Sequence, residues 1–345
     1  MQEIDIASLT IEEVKNLIVE IGEKEFRGEQ IFHWIHGKRI ESFDEMTNLS
    51  KRLREKLKNN YELNLLSIEE KYVSKIDNTT KYLFSLKDNN IIESVLMRYN
   101  YGNTACISSQ VGCRMGCAFC ASTLGGLIRN LTAGEMAGQI YKIEKDSNIK
   151  ISNIVIMGSG EPLDNLESIL SFIKIINHPK AANIGQRHIT LSTCGLVDKI
   201  YTLANKNLQI TLAISLHGPN DKVRQEIMPI AKKYSIDELL KACSYYIMKT
   251  HRRITFEYAL INQLNDQEEY AFELADKLKG LLCHVNLIPM NPVKETNFKE
   301  SNKDTIKKFK EILESKGIQT TVRRRLGSDI DAACGQLRRR YLEMK

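Results

Sequence analysis

The apolar residues of this chain follow two rhythms. Over the first part they recur every three or four positions: in "TIEEVKNLIVEI", Ile11, Val14, Leu17, Ile18 and Ile21 share one face of a predicted helix, and Thr10 with Glu13 forms the capping-box pair that would start it. "GEQIFHWIH" and "NLSKRLREKLKNN" continue the pattern, the latter with Leu49, Leu53 and Leu57 on one face. A small helical module is therefore predicted over residues 1–60. "KYLFSLKDNNIIESVLMRY" breaks the rhythm: two β-rich runs separated by Asp88-Asn89-Asn90 predict a hairpin within an extension over residues 61–98, with Glu93 on its second strand. By pattern alone Glu93 reads as a charge on a solvent-facing strand position.

From about residue 104 predicted strands alternate with amphipathic helices. The strands are "ACISS", "NIVIMG", "HITLST", "ITLAISL", "ITFEYAL", "HVNLIPM" and a last one in "IQTTVRR"; a typical helix is "KDTIKKFKEILESKG", with Ile306, Phe309, Ile312 and Leu313 on one face. Such alternation implies an α/β fold with a parallel sheet, here a full or partial (β/α) barrel over residues 99–330, followed by a C-terminal loop, 331–345. In barrels of this kind reactive groups gather at the C-terminal ends of the strands. The unusual residues fall there in series: the cysteine loop, then "GSGEPLDN", "STCG", "SLHGP" and "MNPV". A lone Gly-Pro turn such as "GSGEP" would be weak evidence. The series points to one pocket.

Composition narrows the chemistry. At 345 residues, 42% of them apolar, the chain suits one barrel plus a smaller module. "MQEIDIASLT" is acidic where a signal peptide would be basic, and no apolar run approaches a membrane span, so a cytoplasmic protein without a membrane is expected. In that reducing compartment clustered thiols are metal-binding or catalytic rather than disulfide-bonded, while Cys243 and Cys283, in apolar surroundings, read as core residues. The net charge of +6 is a mild bias toward polyanions. "KRLREKLK", "HRR", Arg323 to Arg325 and Arg338 to Arg340 each read, taken singly, as solvated faces.

The sharpest feature is "SSQVGCRMGCAFCAS", with Cys113, Cys117 and Cys120 in a C-x3-C-x2-C spacing. Structural zinc takes four protein ligands and would have to borrow Cys106 or a distant histidine. Three thiolates on a [4Fe-4S] cubane instead leave one iron open to bind a substrate or cofactor.

With Phe119 before the last cysteine, this spacing resembles the signature of the radical S-adenosylmethionine superfamily, whose fold is a full or partial (β/α) barrel. The resemblance implies one [4Fe-4S] cluster per chain on Cys113, Cys117 and Cys120, and cleavage of S-adenosylmethionine at the open iron to methionine and a 5′-deoxyadenosyl radical. "FRGEQIFHWIHGK", "SSQVGC", "GEPLDN", "LSTCG", "ISLHGPND", "FEYALI", "VNLIPMNPV" and "DIDAACGQL" together resemble the RlmN group of adenine C2 methyltransferases, which modify large-subunit ribosomal RNA and tRNA. Ser159 departs from the methionine expected in that group and leaves Glu161 and Pro162 in place.

That resemblance assigns Glu161, Pro162, Ser192, Ser215, Leu216, His217 and Asn291 to S-adenosylmethionine, two molecules of which are consumed per turnover. It makes Cys334 the cysteine that becomes S-methylated; its loop has small residues that suit mobility, and the flanking triplets Arg323 to Arg325 and Arg338 to Arg340 would favour its thiolate and lie near phosphates. Cys106 becomes the resolving cysteine that ends in a disulfide with Cys334. Glu93 becomes the proton acceptor, against its reading by pattern. It further implies a helical module that helps hold RNA, a flavodoxin- or ferredoxin-type electron donor, and a monomer. A Cfr-type enzyme acting at adenine C8, a non-catalytic zinc-bearing RNA-binding protein and an electron carrier are the rival readings.

Overall fold

The computed structural model describes residues 4–291, 293 and 295–337; Arg338 to Arg340 lie outside the described residues. The N-terminal module contains β1 (Ile4–Asp5), α1 (Ile11–Glu20), α2 (Phe26–Phe32), which runs into a π-helical turn (His33–Lys38), α3 (Lys51–Asn60) and β2 (Tyr61–Glu62). The start of α1 is set as the sequence predicts: the Glu13 carboxylate accepts from the Thr10 backbone N–H and hydroxyl, both at 2.7 Å. Val14, Leu17 and Ile18 are buried with Ile31 and Phe32 of α2 and Leu53 and Leu57 of α3. Leu49 is buried too but precedes α3, whose N-cap is Ser50. The short parallel pair β1–β2, too brief to show a periodicity, ties the two ends of the module together.

The extension is β3 (Ser67–Val73), β4 (Thr80–Ser85) and β5 (Ile91–Tyr99). The β4–β5 hairpin turns at the expected Asp88-Asn89-Asn90, with Asn89 left-handed at φ 61°. The barrel region adds β6 (Gly102–Cys106), β7 (Gln110–Gly112), β8 (Leu127–Asn130), α4 (Ala133–Ser147), β9 (Asn153–Ile156), α5 (Leu166–Asn177), β10 (Ile189–Thr193), α6 (Val197–Ala204), β11 (Thr211–Ser215), α7 (Asp221–Ile227), α8 (Ile236–Thr250), β12 (Ile254–Leu260), α9 (Glu268–Leu278), β13 (Cys283–Pro289), α10 (Lys303–Ser315) and β14 (Thr320–Val322). One sheet runs in the order β14-β13-β12-β11-β10-β9-β6-β5-β4-β3, parallel from β6 to β14 and antiparallel from β3 to β6. Because β14 and β3 are its two edges, the barrel is partial.

Register decides what each face carries, since side chains alternate along every strand. Val95 pairs with Cys106, Cys106 with Val155, Ser192 with Ala213, Ser215 with Glu257, Glu257 with Asn286, and Asn286 with Thr321. These residues share the inner face. The opposite phase, Ile154, Ile156, Leu191, Leu212, Ile214, Phe256, Val285 and Leu287, packs in the main core with the apolar sides of the helices.

The same phase corrects the pattern-based reading of Glu93. Lys81 pairs with Val95 across the hairpin, so Lys81, Glu93 and Cys106 lie on one face, and residues 326–337 cover it through Leu326, Ala332 and Leu337. Glu93 is 3% exposed and sits 3.7 Å from the Lys81 ammonium. The N-terminal module docks on the outer helices: His36 Nδ1 meets the Tyr141 hydroxyl at 3.1 Å, and Arg39 pairs with the buried Glu144. Among the described residues no helix is long and apolar enough to cross a membrane.

Candidate active site

The cysteine loop leaves β7 and returns through β8 as a small hairpin. Gly112, at φ 77°, is obligatory there, because a Cβ would stand 1.9 Å from the Gly126 carbonyl. The Cys113 N–H donates to Gly126 O at 3.0 Å, the Cys120 N–H to Cys117 O at 3.1 Å, and the Ala118 N–H to Ile227 O, at the end of α7, at 2.9 Å. So fixed, Cys113, Cys117 and Cys120 line one cavity with Met115 and Phe119. Burial pushes the Cys113 thiol up to about 12 and raises Cys117 and Cys120; Cys120 adds to the rise at Cys113 and Cys117, and Cys334 to that at Cys120. Backbone N–H groups of Met115 and Ser122 work the other way, favouring the thiolates of Cys113 and Cys120.

Among the described residues no three His, Cys, Asp or Glu side chains stand as ligands of a single metal ion. A cubane makes a different demand, since each thiolate binds a separate iron. The donor set fits it: three sulfurs from one clamped loop, facing a shared cavity, whose charge a cluster of irons would neutralise.

Across the cavity lie Glu161, Ser192, Ser215, His217 and Asn291. The buried Glu161 carboxylate accepts from the Cys194 N–H at 2.8 Å and the Leu163 N–H at 3.0 Å, while its own N–H donates to Gln110 Oε1 at 2.8 Å. Burial raises its pKa, and those N–H donors oppose the rise. His217 is held neutral by burial, with its pKa down at about 3. Its Nδ1 accepts the Ala259 N–H at 2.9 Å, so Nε2 carries the proton. The His217 ring also stands edge-on to Phe119, centroids 4.7 Å apart, joining this wall to the cysteine loop. Leu216 and Pro162 are buried behind the wall, outside the cavity lining; Leu216 belongs to the main core. Ser159 is also outside the lining, so the departure from methionine does not alter the cavity wall.

A second cavity adjoins the first and contains Cys106. Met157, Ile288, Asn291, Arg323 and Cys334 line both. The C-terminal segment expected to be mobile is pinned here. The Cys334 carbonyl accepts from the Asn291 amide at 3.0 Å, Gly335 O from the Ala121 N–H at 2.8 Å, and Leu337 O from the Ser122 hydroxyl at 2.8 Å. The Cys106 thiol is pushed up to about 12, first by burial and then by the charge of Cys334, with Arg323 opposing. Both cysteines are free thiols, as are all eight, so the expected disulfide is not formed in this structure. Glu93 lines neither cavity.

Among the lining residues, Cys194, Glu257 and Met157 were not singled out by the sequence reading. Cys194 lies beside Glu161 and Cys117. Glu257, 5% exposed, accepts from the Asn286 amide at 2.9 Å. Arg323 was grouped with a solvated basic triplet, yet it turns inward; Arg325 is tied to Glu300 and to Met290 O, both at 2.9 Å, and Arg324 is exposed. Strand phase was the available signal, because Glu257 and Arg323 share the face of Ser215.

Comparison with known proteins agrees with this geometry. Residues 4–63 match the family described as the ribosomal RNA large subunit methyltransferase N-terminal domain, and residues 107–275 match the radical SAM superfamily. The probable dual-specificity RNA methyltransferase RlmN of Thermoanaerobacter sp. (strain X514) is 56% identical over 98% of this chain and 99% of its own length. That of Alkaliphilus oremlandii (strain OhILAs) is 57% identical over 99% of this chain and 100% of its own length. The crystal structure of a radical SAM methyltransferase from Sphaerobacter thermophilus superposes with a TM-score of 0.91 at 42% identity, covering 97% of this chain and 99% of that one. With the three-cysteine loop set at the mouth of a partial barrel and full-length relatives of one kind, the chain belongs to the RlmN family of radical SAM RNA methyltransferases.

Proposed function

We propose that this protein methylates C2 of one adenosine in the peptidyl transferase centre of 23S ribosomal RNA and of an anticodon-loop adenosine in tRNA, with Cys334 as the methyl carrier. The observation that carries this reading is the position of Cys334, which lines both the cavity of the three-cysteine loop and the adjoining cavity of Cys106. A carrier that must meet a cofactor on one side and a second thiol on the other belongs at that junction. The relatives named as dual-specificity RNA methyltransferases support the two RNA substrates.

Adenine C2 is electrophilic, so it cannot displace a methyl group from a sulfonium. The Cys334 thiolate can. A [4Fe-4S] cluster on Cys113, Cys117 and Cys120, with S-adenosylmethionine on its open iron and an electron from a flavodoxin- or ferredoxin-type donor, supplies the means to remove one hydrogen atom from a methyl group. Glu161, Ser192, Ser215, His217 and Asn291 bring carboxylate, hydroxyl, imidazole and amide groups to hold the cofactor. Pro162 and Leu216 serve through the backbone they shape.

Once its S-methyl group has lost a hydrogen atom, Cys334 adds through carbon to C2 and is joined to the RNA by a thioether. After one electron is lost and the C2 proton removed, Cys106 attacks the Cys334 sulfur. The new S–S bond replaces the S–CH2 bond, whose electron pair stays with carbon and takes up a proton to complete the methyl group. Thiol reductant then restores both cysteines. Covalent catalysis of this kind divides one inaccessible step into several feasible ones. Glu93 is the proton acceptor in this scheme. Its ion pair with Lys81 lies under the C-terminal segment, and Lys81 also donates to Asp331 O at 3.4 Å.

The test uses RNA fragments carrying deuterium at C2 or at C8 of the target adenosine, with cluster-loaded protein, S-adenosylmethionine and reductant. The expected product is 2-methyladenosine with loss of the C2 deuterium alone. Loss from C8 would replace this reading with the Cfr-type reaction, and protein that stays colourless after anaerobic loading with iron and sulfide and gives no methylated base would replace it with a zinc-bearing RNA binder.

A further inference from the structure

We propose that Arg323 is a positioning residue for release of the product, the shared counter-ion that holds Cys106 ready to attack the Cys334 sulfur. The inference rests on the two-cysteine reading above and assigns a residue to its last covalent step.

Three observations carry it. Arg323 belongs to the short set that lines both cavities. Its backbone is fixed by the edge of the sheet, its N–H donating to Leu287 O at 2.8 Å, and its guanidinium reaches the Met157 sulfur at 3.6 Å. Met157 follows β9, the strand whose Val155 pairs with Cys106. The side chain therefore spans the open barrel from its last strand to the strand beside Cys106. The charges it meets there are Cys334, Glu257, Cys106 and Tyr99, in that order of influence, and together they hold its own pKa well above the usual arginine value.

The groups facing Cys106 leave few other candidates. From β5 come the apolar Val95 and Met97 and the phenol Tyr99; from the C-terminal segment come Leu326, Ala332, Leu337 and Cys334. Arg324 and Arg325 line the same cavity, but Arg325 is committed to Glu300 and Met290. Lys81 and Glu93, farther along this face, are paired with each other. Arg323 is the cation whose charge acts on the Cys106 thiol.

Chemistry requires such a cation. The nucleophile in disulfide formation is the thiolate, and a thiol buried among apolar side chains stays protonated unless a positive charge faces it. Arginine keeps its charge at every relevant pH and offers five donors, so it can face two sulfurs and a carboxylate at once. When both sulfurs are neutral, as in the disulfide, the charge of Glu257 still acts on Arg323.

The experiment measures the pH profile of Cys106 alkylation by iodoacetamide, by peptide mass spectrometry, in cluster-loaded protein carrying Cys334→Ala. It compares Arg323, Arg323→Lys and Arg323→Met. At pH 8, well below every midpoint, the alkylation rate should fall roughly ten- to a thousandfold in Arg323→Met and by less in Arg323→Lys. Cys243, buried elsewhere in the core, is the internal control and should keep its reactivity. Equal rates in all three proteins would overturn the proposal, as would a change in Cys243 matching that in Cys106. Because no RNA or turnover is involved, failure here is distinguishable from failure of the methyltransfer reading, which the labelled-RNA experiment tests.

Discussion

The side-chain amide of Asn291 donates to the backbone carbonyl of Cys334 at 3.0 Å. This bond joins the end of the barrel sheet to the segment carrying the proposed methyl carrier, and it lies where the two cavities meet. Asn291→Ala should free that carbonyl at a cost of about 1 kcal/mol, speeding proteolysis within residues 331–337 by about fivefold. Methylation of Cys334 should fall with it. Unchanged protease sensitivity would show that the Ala121 and Ser122 bonds pin the segment by themselves.

Replacing any one of Cys113, Cys117 or Cys120 with alanine should remove the intact cluster, because two thiolates hold a cubane poorly. Iron content and the brown absorbance of anaerobically purified protein measure this. A variant that kept full iron and still produced 5′-deoxyadenosine would contradict the ligand assignment. Cys194→Ala, by contrast, should retain the cluster, because Cys194 follows β10 and is outside the clamped three-cysteine loop.

Docking of the N-terminal module should weaken in acid. Burial, followed by the nearby His178, holds the pKa of His36 down at about 3, whereas an unfolded histidine titrates near 6.5. The folded residue stays neutral while the undocked one takes a proton. Stability contributed by His36 is therefore complete above about pH 6.5 and declines as the pH falls toward 3, by about 1.4 kcal/mol per unit. Between pH 7.5 and 5 the module should lose about 2 kcal/mol of protection in hydrogen exchange, and His36→Gln should lose less. An identical pH dependence in both proteins would place the acid sensitivity elsewhere.

Much of the architecture was legible because the barrel strands carry a clean alternation. Every predicted strand from "ACISS" to "IQTTVRR" has its counterpart in the sheet. What stayed hidden has physical reasons. Strand β3 is an exposed edge with a bulge between Ile68 and Glu70, so it shows no period of two. The pairs β1–β2 and β7–β8 are too short to carry one. The three-cysteine loop was plain from spacing, whereas Glu93 was misjudged because nothing local reveals that a distant C-terminal segment covers its face. Arg323 was hidden in a run of three arginines that looks like surface. Only the register through Asn286 and Thr321 shows which of the three reaches both cavities.

The two-sulfur route is tested where its intermediate should stall. In protein carrying Cys106→Ala, cluster assembly, methylation of Cys334 and addition to adenine should proceed, and release should be blocked. Incubation with substrate RNA, denaturing electrophoresis, nuclease digestion and peptide mass spectrometry should reveal Cys334 joined through one methylene carbon to C2 of adenine, in amounts approaching one per active protein. Normal turnover by Cys106→Ala, or an inactive protein with methylated Cys334 and no bound RNA, would contradict transfer through two cysteines in this enzyme.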